Sequence, residues 1–338
     1  MMKRHVWRLA RRPAGAISDQ DLVYGEETLP DLPDGHVLLR VRYLSIDPAQ
    51  RVFMGEQEQF APPVEIGAPV VGIVAGVVVA SRKADVAVGT VLAGMGEWAD
   101  HIVTDGTGFA PLPEVPGRDL ADVFGTLSLV GPTAYFGLLE VGRPKAGDTL
   151  VVSAAAGGVG QIVGQIGKMQ GCRVIGIAGG REKAAFVTET LGFDACIDYK
   201  NDDVGRELDR LAPGGVDVYF EQVGGPIRHA VMQRMNQYGR VAVCGMVSDY
   251  EGTEADERPG FWWTVMMRRL TVQGFIVNDY ADRMPAALEQ IAGWMRDDLL
   301  VTRQDVRQGL DRALMSIRDL YAGRSLGKLL IEVTPDQP

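Results

Sequence analysis

The feature that most constrains this chain is the stretch SAAAGGVGQIVGQIGKMQGCRVIGIAGGREK, residues 153–183, where a glycine cluster lies between two apolar runs. A short β-branched run, Thr149 to Ala154, precedes the cluster. After it, Val159, Ile162, Val163, Ile166 and Met169 fall on one face of a helix. Gly171 stops that helix, and a second apolar run follows at once. The cluster therefore occupies the turn from strand to helix in a β-α-β unit, the one context in which a glycine motif carries weight. Gly160, Gly164 and Gly167 repeat at helical spacing. Each glycine inside a helix costs about 1 kcal/mol relative to alanine. A close approach of the helix to its strand would explain why that cost is tolerated.

Set against the pattern GxGxxG, the residues are Ala155, Ala156, Gly157, Gly158, Val159 and Gly160, with alanine in place of the first glycine. Gly157 would let the backbone approach a pyrophosphate, and Gly160 would let the helix sit close on the sheet. The helix N-terminus offers free N–H groups and the positive end of its dipole to such an anion. A glycine turn in an α/β domain without a ligand is the competing reading. A site for NAD usually carries Asp or Glu at the end of the second strand, about 20 residues on. Here that strand ends VIGIAGG with no acid, and Arg181 and Lys183 follow. Cations at a helix N-terminus oppose the dipole, which favours a function over a merely solvated first turn. They suit the 2′-phosphate of NADPH, the expected cofactor.

The rest of the chain sorts into two textures. The first third holds β-branched runs, HVLLRVRYLSI and PVVGIVAGVVVA, punctuated by Asp-Gly, Pro and Gly. From Gly147 onward, TLVVSA, RVIGIA, ACIDY, DVYFEQV and RVAVCGM alternate with helical patterns, which indicates a parallel sheet covered on both faces. A helical stretch around Pro285 to Met295 precedes a last strand, SLGKLLIEV. The expected fold is α/β: a doubly wound parallel sheet, with a β-rich first domain that the last strand rejoins. The expected division is residues 1–124 completed by 303–338, with 125–302 as the sheet domain.

The formal charge of −10 and the lack of any sustained basic run argue against nucleic acid or an anionic membrane as partner. The longest apolar stretch, Pro69 to Ala80, falls short of the roughly 20 residues that a membrane span needs. The basic opening MMKRHVWRLARR leads into no apolar core of signal-peptide length. Cys172, Cys196 and Cys244 stand far apart in apolar surroundings, as expected of reduced core thiols in a cytoplasmic protein. His5, His36, His101 and His229 are scattered, and no CxxC or HExxH occurs, so no metal site is expected. His101 and Glu97 read as surface groups near a turn. The run FWWTVMM, Phe261 to Met267, reads as a core helix or a dimer face before it reads as a pocket wall.

The segment GPTAYFGLLEVGRPKAGDTLVVSAAAGGVGQIVGQIGKMQGCRVIGIAGGREK resembles the zinc-independent medium-chain dehydrogenase/reductases. The likeness is to the branch of leukotriene/prostaglandin reductases and 2-alkenal reductases, which includes bacterial curcumin reductases. YLSIDP, PPVEIG, LGFDACIDYK, YFEQVGG, VCGMVSDY, QGFIV and LGKLL match in order over nearly the whole chain. The resemblance implies a GroES-like catalytic domain joined to a Rossmann domain, a homodimer, and NADPH-dependent reduction of the carbon–carbon double bond of α,β-unsaturated carbonyls. It implies that Gly157, Gly158, Val159 and Gly160 hold the phosphates, and that Lys183 and Tyr199 hold the 2′-phosphate. It puts Gln222, Cys244, Gly245, Met246, Val247, Ser248 and Tyr250 beside the cofactor, with Phe275, Ile276, Val277 and Ser325 also on its side. Ala49, Leu129 and Met267 are implied on the substrate side. This chain departs from the family pattern in several places. Ala49 in DPAQR and Met267 replace tyrosines, the proline of SLVGPTAY moves to Pro132, and Gln222 and Ser325 replace asparagines.

The implied chemistry is hydride addition to the β-carbon of an enone, with the developing enolate oxygen held by a hydrogen-bond donor. The catalytic residue stays open: the α-carbon proton comes from water or a side chain, Tyr250 is the tyrosine candidate, and it reads equally as packing on the cofactor. A phenol of ordinary pKa is an adequate acid for an enolate. The substrate would be a small apolar enone or alkenal. Two other functions stay open: an NADPH:quinone reductase sharing the fold, and an NADPH-binding module without catalysis.

Overall fold

The computed structural model describes residues 2–56, 59, 61–251 and 261–334. The chain divides into two compact units, one of residues up to Ser128 together with those from Gln304, the other Leu129–Arg303.

Among the described residues, Leu129–Arg303 is built on six parallel strands: Thr149–Ser153, Arg173–Ala178, Ala195–Asp198, Val216–Glu221, Met235–Val243 and Thr271–Gly274. Numbered along the chain, they lie side by side in the order 3-2-1-4-5-6. Val151 stands between Ile175 on one side and Tyr219 on the other, all three fully buried. That burial explains why these runs read as continuous apolar segments rather than as alternating ones. The sixth strand differs. TVQG is half polar and exposed, and it pairs only through Arg240–Val243, which leaves it at the sheet edge. No apolar run announced it.

The other unit carries a seven-stranded, mostly antiparallel sheet. Val37–Ser45 lies near its centre, with Val71–Ser81 on one side and the late strand Lys328–Glu332 on the other. His101–Thr104 also pairs with Val37–Ser45. Val37, Leu39, Val41 and Leu44 point into a core shared with Val74, Val78, Trp98 and Ile102. Glu97 accepts from Arg4, and His101 Nδ1 bonds Asp100 at 3.1 Å with its side chain largely covered, so neither is a free surface group. A hairpin of Lys3–Leu9 and Leu22–Thr28 completes the unit.

The helix Phe261–Arg268 buries none of its residues, and Trp262 is 72% exposed. The core-helix reading of FWWTVMM is thereby corrected. Phe261 and Val265 touch the core, while the tryptophans turn away from it. Among the described residues no helix is long and apolar enough to cross a membrane.

Candidate functional site

The glycine cluster folds as its flanks require. Ser153 ends the first strand, Ala154 takes a left-handed conformation (φ 49°), and Gly157 N–H closes the turn on Ala154 O at 2.9 Å. The helix Gly158–Met169 starts there, with Gly157 extended as its cap and no side chain bonding its first N–H groups. Those groups lack intrahelical acceptors by geometry. A Cβ on Gly160 would lie 2.3 Å from Ala154 O, one on Gly164 1.7 Å from the Phe193 ring, and one on Gly167 2.4 Å from Leu150. The glycine stripe is therefore what lets the helix lie on the sheet. The missing first glycine has a counterpart as well. The Ala155 methyl fills space that Gly176 leaves open on the neighbouring strand, 2.8 Å from where a Cβ would stand.

Beyond the second strand, Gly179 and Gly180 lead into the short helix Arg181–Ala185, which bears Lys183. The Tyr199 ring lies against Gly179, where a Cβ would come within 2.9 Å of it. The acid missing from the second strand stands at the end of the third. Asp198 accepts from Gly180 N–H at 2.6 Å, Asn201 Nδ2 at 2.7 Å and Lys200 N–H at 3.2 Å. Burial works against its charge, but these donors outweigh burial and hold the carboxyl below the ordinary aspartate value. The carboxylate thus ties Gly180, just before Arg181 and Lys183, to the loop that follows Asp198 itself.

The strand order reverses between the first and fourth strands, the place where open α/β sheets bind ligands. Gln222 spans that point, its N–H donating to Ser153 Oγ at 2.8 Å and its Nε2 to Ser153 O at 2.5 Å. Next to it, two loops are laced together. Cys244 and Gly245 N–H donate to Glu221 O, Val247 N–H to Gln222 O, and Ser248 N–H to Val223 O at 2.9 Å. The Ser248 hydroxyl also donates to Val223 O. Arg228 pairs with Asp249 at 3.5 Å and reaches Met246 Sδ. The Tyr250 hydroxyl accepts from Met246 N–H at 3.2 Å, so its own proton is not spent on that bond. Burial raises the Tyr250 phenol above its ordinary value, and burial pushes the Cys244 thiol up to about 12, helped by Glu221.

Gly157–Gly160, Gln222 and the 244–250 loop thus gather at the C-terminal ends of the first, fourth and fifth strands. Lys183 and Tyr199 lie past the second and third. Phe275 packs edge-on against Phe220, Ile276 is partly exposed, and Val277 is buried with Phe136 and Ala287, so its side chain serves the core. Leu129 caps the helix Val130–Phe136 and packs on the same cluster. Met267 is exposed on the Phe261–Arg268 helix. In the other unit, Ala49 opens the helix Ala49–Phe53 and Ser325 is buried just before the last strand. Ser153, Asp198 and Glu221 were missed from sequence. Their only signal was a polar residue closing an apolar run.

Among the described residues, no group of three or more His, Cys, Asp or Glu side chains could hold a metal ion. A family model described as the N-terminal domain of oxidoreductase matches residues 5–112, and one described as zinc-binding dehydrogenase matches 158–293. The chain is 39% identical over 335 residues to the NADPH-dependent curcumin reductase of Escherichia coli (strain K12), covering 98% of this chain and 97% of that protein. It is 36% identical over 313 residues to the NADP(+)-dependent 2-alkenal reductase of Nicotiana tabacum, covering 90% and 89%. The crystal structure of CurA in complex with NADPH from Vibrio vulnificus superposes with a TM-score of 0.93 at 36% identity, covering 98% of this chain and all of that one. With sheet order, glycine turn and whole-length similarity in agreement, the chain belongs to the medium-chain dehydrogenase/reductases, in the branch of the leukotriene/prostaglandin reductases and 2-alkenal reductases.

Proposed function

We propose that this protein uses NADPH to reduce the carbon–carbon double bond of small apolar α,β-unsaturated aldehydes and ketones. The observation that carries the cofactor is the pair of loops past the first and second strands. One offers uncapped helical N–H groups, and the other carries Arg181, Lys183 and Tyr199, with Glu182 between the two cations and no acid at the end of the second strand itself. These residues fit a dinucleotide that bears a 2′-phosphate. Gly157–Gly160 would take the diphosphate, Lys183 and Tyr199 the 2′-phosphate, and Gln222 with the 244–250 loop the nicotinamide half. The enone reading is supported by relatives named for curcumin and 2-alkenals.

When bound, NADPH supplies the hydride. The chain's own work is to hold that half against the substrate and to keep a proton at hand. Gln222 and the laced loops fix the position. Tyr250, whose hydroxyl accepts from Met246 N–H and so keeps its own proton free to give, is the proton donor in this reading.

The assembly is a homodimer in the same reading. The exposed edge strand Thr271–Gly274 and the tryptophans of the adjoining helix would otherwise leave unpaired backbone and apolar surface in water. Three cysteines that are all free suit a reducing compartment, the cytoplasm.

The test is NADPH oxidation by the purified protein against alkenals, aryl enones and quinones, with NADH in parallel. Turnover of enones with NADPH and little with NADH supports the reading. Turnover of quinones alone replaces it with a quinone reductase, and cofactor binding with no turnover replaces it with a binding module.

A further inference from the structure

At the end of the fourth strand stands Glu221, fully buried, a residue to which nothing above assigns a function. Its Oε1 accepts from Val223 N–H at 2.5 Å and Gly224 N–H at 2.8 Å. Its backbone carbonyl accepts from Cys244 N–H at 2.9 Å and Gly245 N–H at 3.2 Å. One residue therefore ties down the first turn of both laced loops. Oε2 makes no hydrogen bond of regular geometry, with the Tyr219 hydroxyl beside it. Burial opposes the carboxyl's charge by more than Tyr219 and the two turn N–H groups offset it, so its place here calls for a reason other than its own charge. Gly224 supplies one. It adopts φ 86°, and a Cβ there would lie 2.7 Å from Asp249, so the turn must be held in a left-handed shape for the second loop to close over it.

We infer that Glu221 is a positioning residue for the nicotinamide half of the cofactor, acting through the Val223–Gly224 turn on the 244–250 loop. The inference rests on the reading of this crevice as the NADPH site. What the turn requires is an acceptor, not a charge. A glutamine can provide it through its own carbonyl, and a methionine of similar size cannot.

The experiment compares Glu221→Met and Glu221→Gln with the parent protein by two binding titrations and by steady-state kinetics. One probe is NADPH. The other is adenosine 2′,5′-bisphosphate, which carries only the half that Lys183 and Tyr199 would hold. Loss of two hydrogen bonds predicts an NADPH Kd raised about tenfold or more in Glu221→Met. Its Kd for the bisphosphate stays within about twofold, and KM for NADPH rises while KM for the enone does not. Glu221→Gln restores NADPH binding to within about threefold of the parent. If Glu221→Met does not fold, Glu221→Asp, which withdraws the carboxyl from the turn, takes its place with the same pattern expected. Equal weakening of both probes, or failure of glutamine to rescue, overturns the inference in favour of a purely structural carboxyl. So does unchanged NADPH binding in Glu221→Met. A parent protein that binds neither probe overturns the cofactor site itself, and this role with it.

Discussion

Asp198 shows how one carboxylate decides what its neighbours can do. With three donors on it, the acid at the end of the third strand holds Gly180, in the Gly179–Lys183 turn, and Lys200 and Asn201 in the loop that follows it. Asp198→Ala removes those acceptors, so the variant should lose about 1–3 kcal/mol of stability. Its preference for NADPH over NADH should also narrow, read as the ratio of kcat/KM for the two. Unchanged preference would detach Asp198 from the 2′-phosphate loop. The pH dependence has a definite sign. The folded-state pKa of Asp198 is depressed, so its contribution is present above the unfolded value near 4 and is lost as pH falls through the folded one. The parent should therefore lose more stability than Asp198→Ala on acidification below about pH 4, measurable by urea melts at stepped pH. At this scale the sequence was readable where a residue was chosen for lack of a side chain. Gly160 and Gly164 announce a close approach, and the structure has one. Asp198 and Glu221 could not be read, because a single polar residue at a strand end looks alike whether it faces solvent or bonds backbone.

A similar limit applies to elements. The helix Gly158–Met169 was legible from its apolar spacing, yet the same helix carries Gln161 and Gln165, both buried on a face that no apolar pattern marks. They act as a false strand. Gln161 Oε1 accepts from Arg303 N–H at 2.9 Å, while Gln165 accepts from Val301 N–H at 2.9 Å and donates to Val301 O at 2.7 Å. Without those amides Val301 and Arg303 would lose these backbone partners along the helix. Gln165→Leu keeps the volume roughly but strips both bonds, so a loss of about 1–3 kcal/mol is expected. Hydrogen exchange at Val301 should speed up by more than that at Ile175, in the sheet centre. Uniform acceleration would mean that the glutamine supports the whole unit and not this segment. The edge strand Thr271–Gly274, met in the sequence only through the family match QGFIV, lacked a pattern of its own for the opposite reason. A strand exposed on both faces has no apolar run to display, and TVQG is recognisable only from what it pairs with.

Taken as a whole chain, the two units differ in how sequence becomes structure. Leu129–Arg303 is one continuous segment holding its entire sheet. The β-rich unit is not continuous, since its sheet takes in Gln304–Gln308 and Lys328–Glu332 from the far end. Those late residues do more than add strands. Lys328, buried, pairs with Asp47 and donates to Ile46 O at 3.0 Å, Leu310 O accepts from Trp7 Nε1 at 2.8 Å, and Arg318 donates to Ile17 O at 2.7 Å. An N-terminal fragment ending at Ser128 would leave Asp47 without its cation and would expose the side of Val37–Ser45 that Leu330 to Glu332 covers. Breaking a buried ion pair from one side costs about 3–5 kcal/mol, a large share of the stability of a domain this size. The expectation is that residues 129–303 expressed alone unfold cooperatively on heating, while residues 1–128 alone show no such transition. Adding a peptide of residues 304–338 to the second fragment should restore one, and a peptide with Lys328→Met should restore it less. A cooperative melt from 1–128 by itself would show that the first strands carry their own core, and that the returning strand adds only to an already folded sheet.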